Sequence, residues 1–317
     1  MFLKLLVIIS ILKQTACETD LRVITTLKHS TYYVKPTIVN GKPAVTGDVP
    51  YLVSIKEPVG RIGNGRIVWK NLCGGSIISK YKILTAAHCF DANNYFYYKH
   101  PSKLRVIAGD LRTQITHPGE TETNEYTQWR SIDNIIIHPF YHFPTNDIAI
   151  TILDAPLNFT HNVDYIMTAS VNTNYPGTCL TAGYGRTDYN GNSVSPVVLI
   201  TRINTLSLWK CSLMWEMNMN SFICSDSSIS DVAKGDSGGP LVCKGTLDPN
   251  ERSNRDLLVG VVSGKNFDKT SLYTRVSAYK DWIADNKGAK SDLPNPGIML
   301  GARHASLDSN ELLVVMY

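Results

Sequence analysis

Gly235-Asp236-Ser237-Gly238-Gly239-Pro240 is the segment best equipped for covalent chemistry. A serine hydroxyl is a weak nucleophile at neutral pH and needs an oriented base beside it. The glycines let the backbone turn so that amide N–H groups converge where an oxyanion would develop. A glycine-rich turn between strands could share this composition, so the partners decide the reading. Thr85-Ala86-Ala87-His88-Cys89 supplies an imidazole beside a cysteine able to anchor its loop, and Asn146-Asp147-Ile148-Ala149-Ile150 supplies a carboxylate at the head of an apolar run. An acid there is costly to bury unless a donor such as an imidazole N–H meets it. Asp133 and Asp154 are nearby acids without that setting. Ser237, His88 and Asp147 together predict acyl transfer through a serine nucleophile, with the three occurring in the order His, Asp, Ser.

These residues must be held by a scaffold, and short β-rich runs between turn signals predict an all-β one. Examples are 51–55, 75–79, 135–137, 147–152 and 257–262. One helix is expected near 276–284, where apolar residues recur at spacings of three to four. The basic stretch Arg61 to Lys70 reads as a lengthened surface loop at the cleft rim. Residues 288–317, with Gly288, Pro294, Pro296 and Gly297, read as a C-terminal extension ending in a short apolar stretch.

The N-terminus reads as an export signal, residues 1–17: Lys4 precedes the apolar stretch Leu5 to Leu12, and Thr15-Ala16-Cys17 offers a cleavage site before Glu18. A buried N-terminal strand is the competing reading. Removal of Cys17 leaves six of the seven cysteines, Cys73, Cys89, Cys179, Cys211, Cys224 and Cys243. An even set in an exported protein predicts three disulfides, with fifteen connectivities open. No close cysteine pair has zinc-finger spacing, so no metal or cofactor is expected. The formal charge of +4 comes without a run of like charges, which argues against nucleic-acid or membrane partners.

Over about 38–286 the sequence resembles the chymotrypsin/trypsin family of secreted serine endopeptidases. The family's mechanism is a worked example of triad chemistry, and the roles follow from the resemblance. Ser237 would attack the scissile carbonyl, His88 would shuttle the proton and Asp147 would orient the imidazole. The N–H groups of Gly235 and Ser237 would form the oxyanion hole. The implied disulfides are Cys73–Cys89, Cys179–Cys243 and Cys211–Cys224. The implied fold is two six-stranded antiparallel barrels, about 38–157 and 158–274, followed by a C-terminal helix, within a protease domain of 38–287. Ile38-Val39-Asn40-Gly41 resembles a mature start, making 18–37 a propeptide. Its removal would free an ammonium to pair with Asp236. Thr37 stands where the family usually has Arg or Lys, so the activating protease would accept a small residue.

Asp231, six residues before Ser237, matches the pocket base that selects Arg or Lys, though a solvated loop aspartate is the plainer alternative. Ser263 and Ser271 match other substrate-binding positions. The pocket departs from the family pattern. Ala233 replaces a cysteine, no Trp follows Ser263, and Ser271 replaces a glycine. Lys265 or Lys269 could neutralise Asp231. Asn158-Phe159-Thr160 is an N-glycosylation sequon. Glu120, Glu122 and Glu125 match a calcium loop poorly and read as a solvated face. Expected partners are a protein or peptide substrate, an activating protease and protein protease inhibitors. The alternative function is an inactive homologue that acts as a binding or regulatory module.

Overall fold

The computed structural model describes residues 41–112, 114–117, 127–175, 178–185, 195–226, 232, 235–253, 255–265 and 270–287. The chain enters through a two-residue strand, β1 (Lys42–Pro43), and then builds two antiparallel sheets. The first comprises β2 (Leu52–Ile62), β3 (Arg66–Ser79), β4 (Lys82–Thr85), β5 (Arg105–Ala108), β6 (Gln114–His117), β7 (Gln128–Ile137) and β8 (Ala149–Leu153). Its order is β2-β5-β7-β8-β4-β3, and β2 also pairs with β3, closing six strands into a barrel; β6 adds to β3 outside the closure. Val53, Ile55, Ile77, Ile83, Val106 and Ile150 fill its interior. Closure leaves these β-branched chains packed against one another and removes the exposed sheet edge.

The second sheet comprises β9 (Met167–Thr168), β10 (Thr178–Gly183), β11 (Leu199–Asn204), β12 (Phe222–Ser225), β13 (Pro240–Cys243), β14 (Leu257–Lys265) and β15 (Ser271–Arg275). Its path is β11-β10-β13-β14-β15-β12, with β1 added to β11 and β9 added in parallel to β14. Between β11 and β12 the gap is bridged at Thr205 and Ser225, with Leu206 N–H donating to Cys224 O at 2.9 Å and Asp226 N–H to Asn204 O at 2.8 Å. This second ring is filled by Ile203, Leu241, Val259, Val262 and Tyr273. The strand-rich pattern predicted an all-β scaffold, and the closed six-stranded barrel beside a second sheet agrees with the fold that the family resemblance implied.

Three local expectations need correction or refinement. The stretch 61–70 is not a loop, because Arg61 pairs with Ile67 and Ile62 with Arg66 around a tight turn at Gly63–Gly65. It is the tip of a long β2–β3 hairpin whose β-branched and aromatic run Ile67-Val68-Trp69 suits a strand. The C-terminal helix begins as a 3₁₀ turn, Val276–Tyr279, and continues as an α-helix, Lys280–Lys287. A further helix, α1 (Leu208–Trp215), precedes that one, α2. Its start was readable: the Ser207 hydroxyl caps it, accepting from Lys210 N–H at 3.3 Å.

Candidate active site

His88 lies in a 3₁₀ turn, Ala87–Cys89, directly after β4. The Cys73–Cys89 disulfide ties this turn to β3. Asp147 lies just before β8, which pairs with β4, so register alone brings the two residues to the same end of the first barrel. The contact is two-pronged. His88 N–H donates to Asp147 Oδ1 at 2.9 Å, and His88 Nδ1 lies 2.8 Å from Oδ2. The Asp147 side chain is fully buried, whereas 21 % of the His88 side chain stays accessible. With Nδ1 held by a carboxylate, the neutral imidazole carries its hydrogen there and leaves Nε2 as the basic nitrogen.

The second barrel reaches into the same place. Ser263 Oγ donates to Asp147 Oδ2 at 2.5 Å, and Thr274 Oγ1 donates to Asp147 O at 2.8 Å. A buried carboxylate thus receives a backbone N–H, an imidazole and a hydroxyl, which is how an acid survives without water. The sequence placed Ser263 at the substrate; the structure adds this contact with Asp147. Ser271 is fully buried in β15, opposite Ser225 and Lys265.

Ser237 sits in a turn whose two left-handed glycines cannot be replaced. At Gly235, φ is +107° and a Cβ would come 3.0 Å from Gly185 Cα. At Gly238, φ is +76° and a Cβ would lie 2.1 Å from Thr85 Oγ1 and 2.6 Å from Gly74 O. Thr85 leads directly into the His88 turn, so Gly238 lets the serine turn pack against the segment that carries the imidazole. Backbone bonds fix it further: Gly74 N–H to Ser237 O at 2.8 Å, and Gly238 N–H to Val262 O at 2.8 Å. The Gly235 carbonyl accepts from Asn71 Nδ2 at 3.0 Å, and Asn71 Oδ1 accepts from Ser54 Oγ at 2.6 Å. Asn71 was not singled out from the sequence, where a lone strand asparagine carries no signal.

Asp236 is fully buried and accepts from Gly185 N–H at 2.8 Å. Cβ atoms at Gly183 or Gly185 would fall 2.0 and 2.5 Å from its carboxylate oxygens, so this acid occupies a place that only glycine neighbours permit.

The trypsin family model matches residues 38–283. The chain belongs to the trypsin family. Two relatives from Drosophila melanogaster, serine protease 1 and serine protease 2, are each 30 % identical over 266 residues, covering 80 % of this chain and 87 % of theirs. The trypsin-family match makes this protein a serine protease, and protein is its substrate class.

As in the pairing the family resemblance implied, the six cysteines form Cys73–Cys89, Cys179–Cys243 and Cys211–Cys224. Several expected features lie outside the described residues: Asp231, Ala233, Lys269, the Thr37–Ile38 junction, the signal, the C-terminal extension and Glu120, Glu122 and Glu125. Asp133 and Asp154 are both exposed and away from His88; Asp154 Oδ1 instead accepts from Ser131 N–H at 3.1 Å. No described helix is long and apolar enough to cross a membrane.

Proposed function

We propose that this trypsin-family protein is a secreted endopeptidase in which Ser237, His88 and Asp147 form the catalytic triad. The observation that carries the reading is the two-pronged His88–Asp147 contact with Ser263 as a third donor, beside the rigid Ser237 turn. Ser237 Oγ attacks the scissile carbonyl while its proton passes to His88 Nε2. The tetrahedral oxyanion is met by the N–H groups of Gly235 and Ser237. Collapse breaks the C–N bond, the amine leaves with the proton from His88, and water then hydrolyses the acyl-enzyme by the same relay in reverse. Asp147 holds the imidazole in place and stabilises the imidazolium that forms.

The finer assignments are part of the proposal. Asp231 is the pocket base and selects Arg or Lys, with Ser263 and Ser271 at the substrate. The protein is made as a zymogen. Cleavage after Thr37 frees the Ile38 ammonium, which pairs with Asp236; a buried carboxylate in a tight glycine-lined site suits a newly made cation. Three disulfides and the N-terminal signal pattern support export. The exposed position of Asn158 supports use of its sequon. Protein inhibitors and an activating protease are the proposed partners besides substrate.

The test is hydrolysis of Arg/Lys, Phe/Leu and Ala/Val peptide reporters by protein cut before Ile38. Turnover after Arg or Lys is expected, falling by at least about 10⁴-fold in Ser237→Ala. Turnover only after other residues would keep the triad and discard Asp231 as the selector. No turnover from folded, correctly cut protein would overturn the enzyme reading in favour of a binding module.

A further inference from the structure

Two hollows meet on the second barrel where β10, β11 and β13 lie side by side. The first, of about 620 Å³, has Lys42, Leu180, Arg202, Val242 and Lys244 in its lining. The second, of about 500 Å³, has Tyr51, Tyr165, Met167, Lys244 and Arg252. Asp48, Lys244 and Asp256 line both, so the two form one trough. Each hollow falls within the size range of ligand sites, roughly 300–1,000 Å³. The trough shares no described lining residue with the candidate active site.

Its charges are unevenly matched. The three acids are engaged by the protein itself. Asp48 Oδ2 accepts from Val45 N–H at 3.0 Å. Asp256 Oδ2 accepts from Tyr51 Oη at 3.1 Å, and its Oδ1 lies 3.4 Å from Lys244 Nζ. Asp164, in the second hollow, pairs with Arg255 at 3.1 Å. Two cations are not matched in this way. Among the described residues Lys42 has no ion-pair partner, and Arg252 meets only a neutral group. Its Nη1 donates to Tyr165 Oη at 2.8 Å, and its guanidinium carbon lies 5.6 Å from the Tyr165 ring centroid. Lys244 meets Asp256 with one of its three ammonium donors and keeps 62 % of its side chain accessible.

We propose that this trough is a second binding site, which takes an extended acidic segment of a partner protein. The cations form a row: Lys42 lines only the first hollow, Arg252 only the second, and Lys244 both. A small anion can meet one of them, whereas a chain carrying carboxylates at intervals meets all three. Arg252 is the best prepared, because Tyr165 holds the guanidinium without neutralising it and a planar guanidinium can offer a carboxylate paired N–H donors. Lys42 is fixed through β1, where it pairs with Ile200 of β11. Arg202, the cross-strand neighbour of Leu180, adds positive potential to the first hollow. Between the charges, Leu180, Tyr165 and Met167 are half-buried. That apolar floor suits amino-acid side chains set between the carboxylates and gives nothing to a sulfated sugar, whose surface is polar throughout. Such charge matching raises the rate of encounter and selects the partner. The partner is held away from Ser237, so the site stands whether or not the triad reading does.

The test uses the chain as expressed, carrying Ser237→Ala so that a probe peptide survives. Fluorescence anisotropy follows a labelled peptide of alternating Glu and Leu beside a control with Gln for every Glu. The Glu peptide is expected to bind at least about tenfold more tightly than the Gln peptide at about 50 mM salt. It should lose affinity about threefold or more by about 200 mM, as screened ion pairs do. Lys42→Glu and Arg252→Glu each weaken binding by about threefold to tenfold, and the double variant by more, the scale of exposed ion pairs made repulsive. Arg61→Glu, the same charge change at the tip of the β2–β3 hairpin, leaves binding within about twofold. All three side chains are exposed, so the variants keep the wild-type melting curve. An equal loss in Arg61→Glu would mean attraction to net charge alone and would overturn the site. Equal binding of the Glu and Gln peptides, or none by either, overturns it as well. Binding of a heparin-type polysaccharide without binding of the Glu peptide would make the trough a sugar site and overturn the protein partner.

Discussion

At the scale of single residues, Asp147 shows how a fully buried charge is made tolerable and useful. Its three side-chain contacts are His88 N–H, His88 Nδ1 and Ser263 Oγ. The proposed triad of Ser237, His88 and Asp147 could be picked out of the sequence because each stands in a short run whose composition has a chemical purpose, and the structure brings His88 and Asp147 into contact. The Ser263–Asp147 bond could not, because 116 residues separate the partners and only docking of the barrels joins them. Removing the third donor gives a direct prediction. Ser263→Ala leaves the carboxylate under-satisfied and less well oriented, and a hydrogen bond to a charged group contributes about 1.5–3 kcal/mol. A fall in kcat of about 10- to 100-fold is expected, with a thermal midpoint within a few degrees of wild type. Steady-state kinetics beside a melting curve check it; unchanged kcat would mean that the two His88 contacts suffice.

At the scale of elements, bulges and turns aim side chains that regular strands could not. Along the β2–β3 hairpin, Ile55 pairs with Cys73 but Lys56 pairs with Asn71, so Leu72 is the extra residue of a β-bulge. The bulge breaks strict alternation and turns Asn71 towards the Ser237 loop, where its amide holds Gly235 O. Sequence periodicity conveys strands, but a one-residue register shift is set by cross-strand pairing and leaves no trace in composition. The same limit explains why 61–70 read as a loop: its exposed, charged residues hid a strand whose partner lies next to it in sequence. Asn71→Ala should leave the Gly235 carbonyl without this donor and loosen the turn that presents the proposed oxyanion N–H groups. Loss of one such bond, about 1–2 kcal/mol, corresponds to a five- to thirtyfold drop in kcat/KM. Reporter hydrolysis measures it, and Asn71→Ala at wild-type efficiency would show that Gly74 and Val262 hold the turn alone.

At the scale of the molecule, the candidate active site is a property of the docked barrels, since Ser263, Thr274 and the Ser237 turn all come from the second and His88 and Asp147 from the first. The docking has its own chemistry at some distance from the site. Val198 N–H donates to Leu111 O at 2.7 Å, and Tyr184 Oη donates to Asp110 O at 3.1 Å. Lys56 is buried here, with Nζ donating to Arg112 O at 3.4 Å and lying 5.2 Å from the Tyr184 ring centroid. Burial pulls its ammonium down to about 7, helped by the Arg112 guanidinium and opposed by Asp110. Below about pH 7 both folded and unfolded chains carry the proton, and the cost of burying the charge is borne in full. Between about 7 and the ordinary lysine value the folded chain is neutral while the unfolded chain still binds a proton, so raising the pH stabilises the fold through this window. Lys56→Met removes the buried ammonium and retains an apolar chain of similar length. Its thermal midpoint should exceed wild type at pH 6 and 7, and the gap should narrow steadily towards pH 9. Melting curves of both proteins across that range give the difference directly, so titrations common to the two cancel. A gap that widens with pH would mean that Lys56 is kept charged in the fold and contributes to docking as a cation over Tyr184.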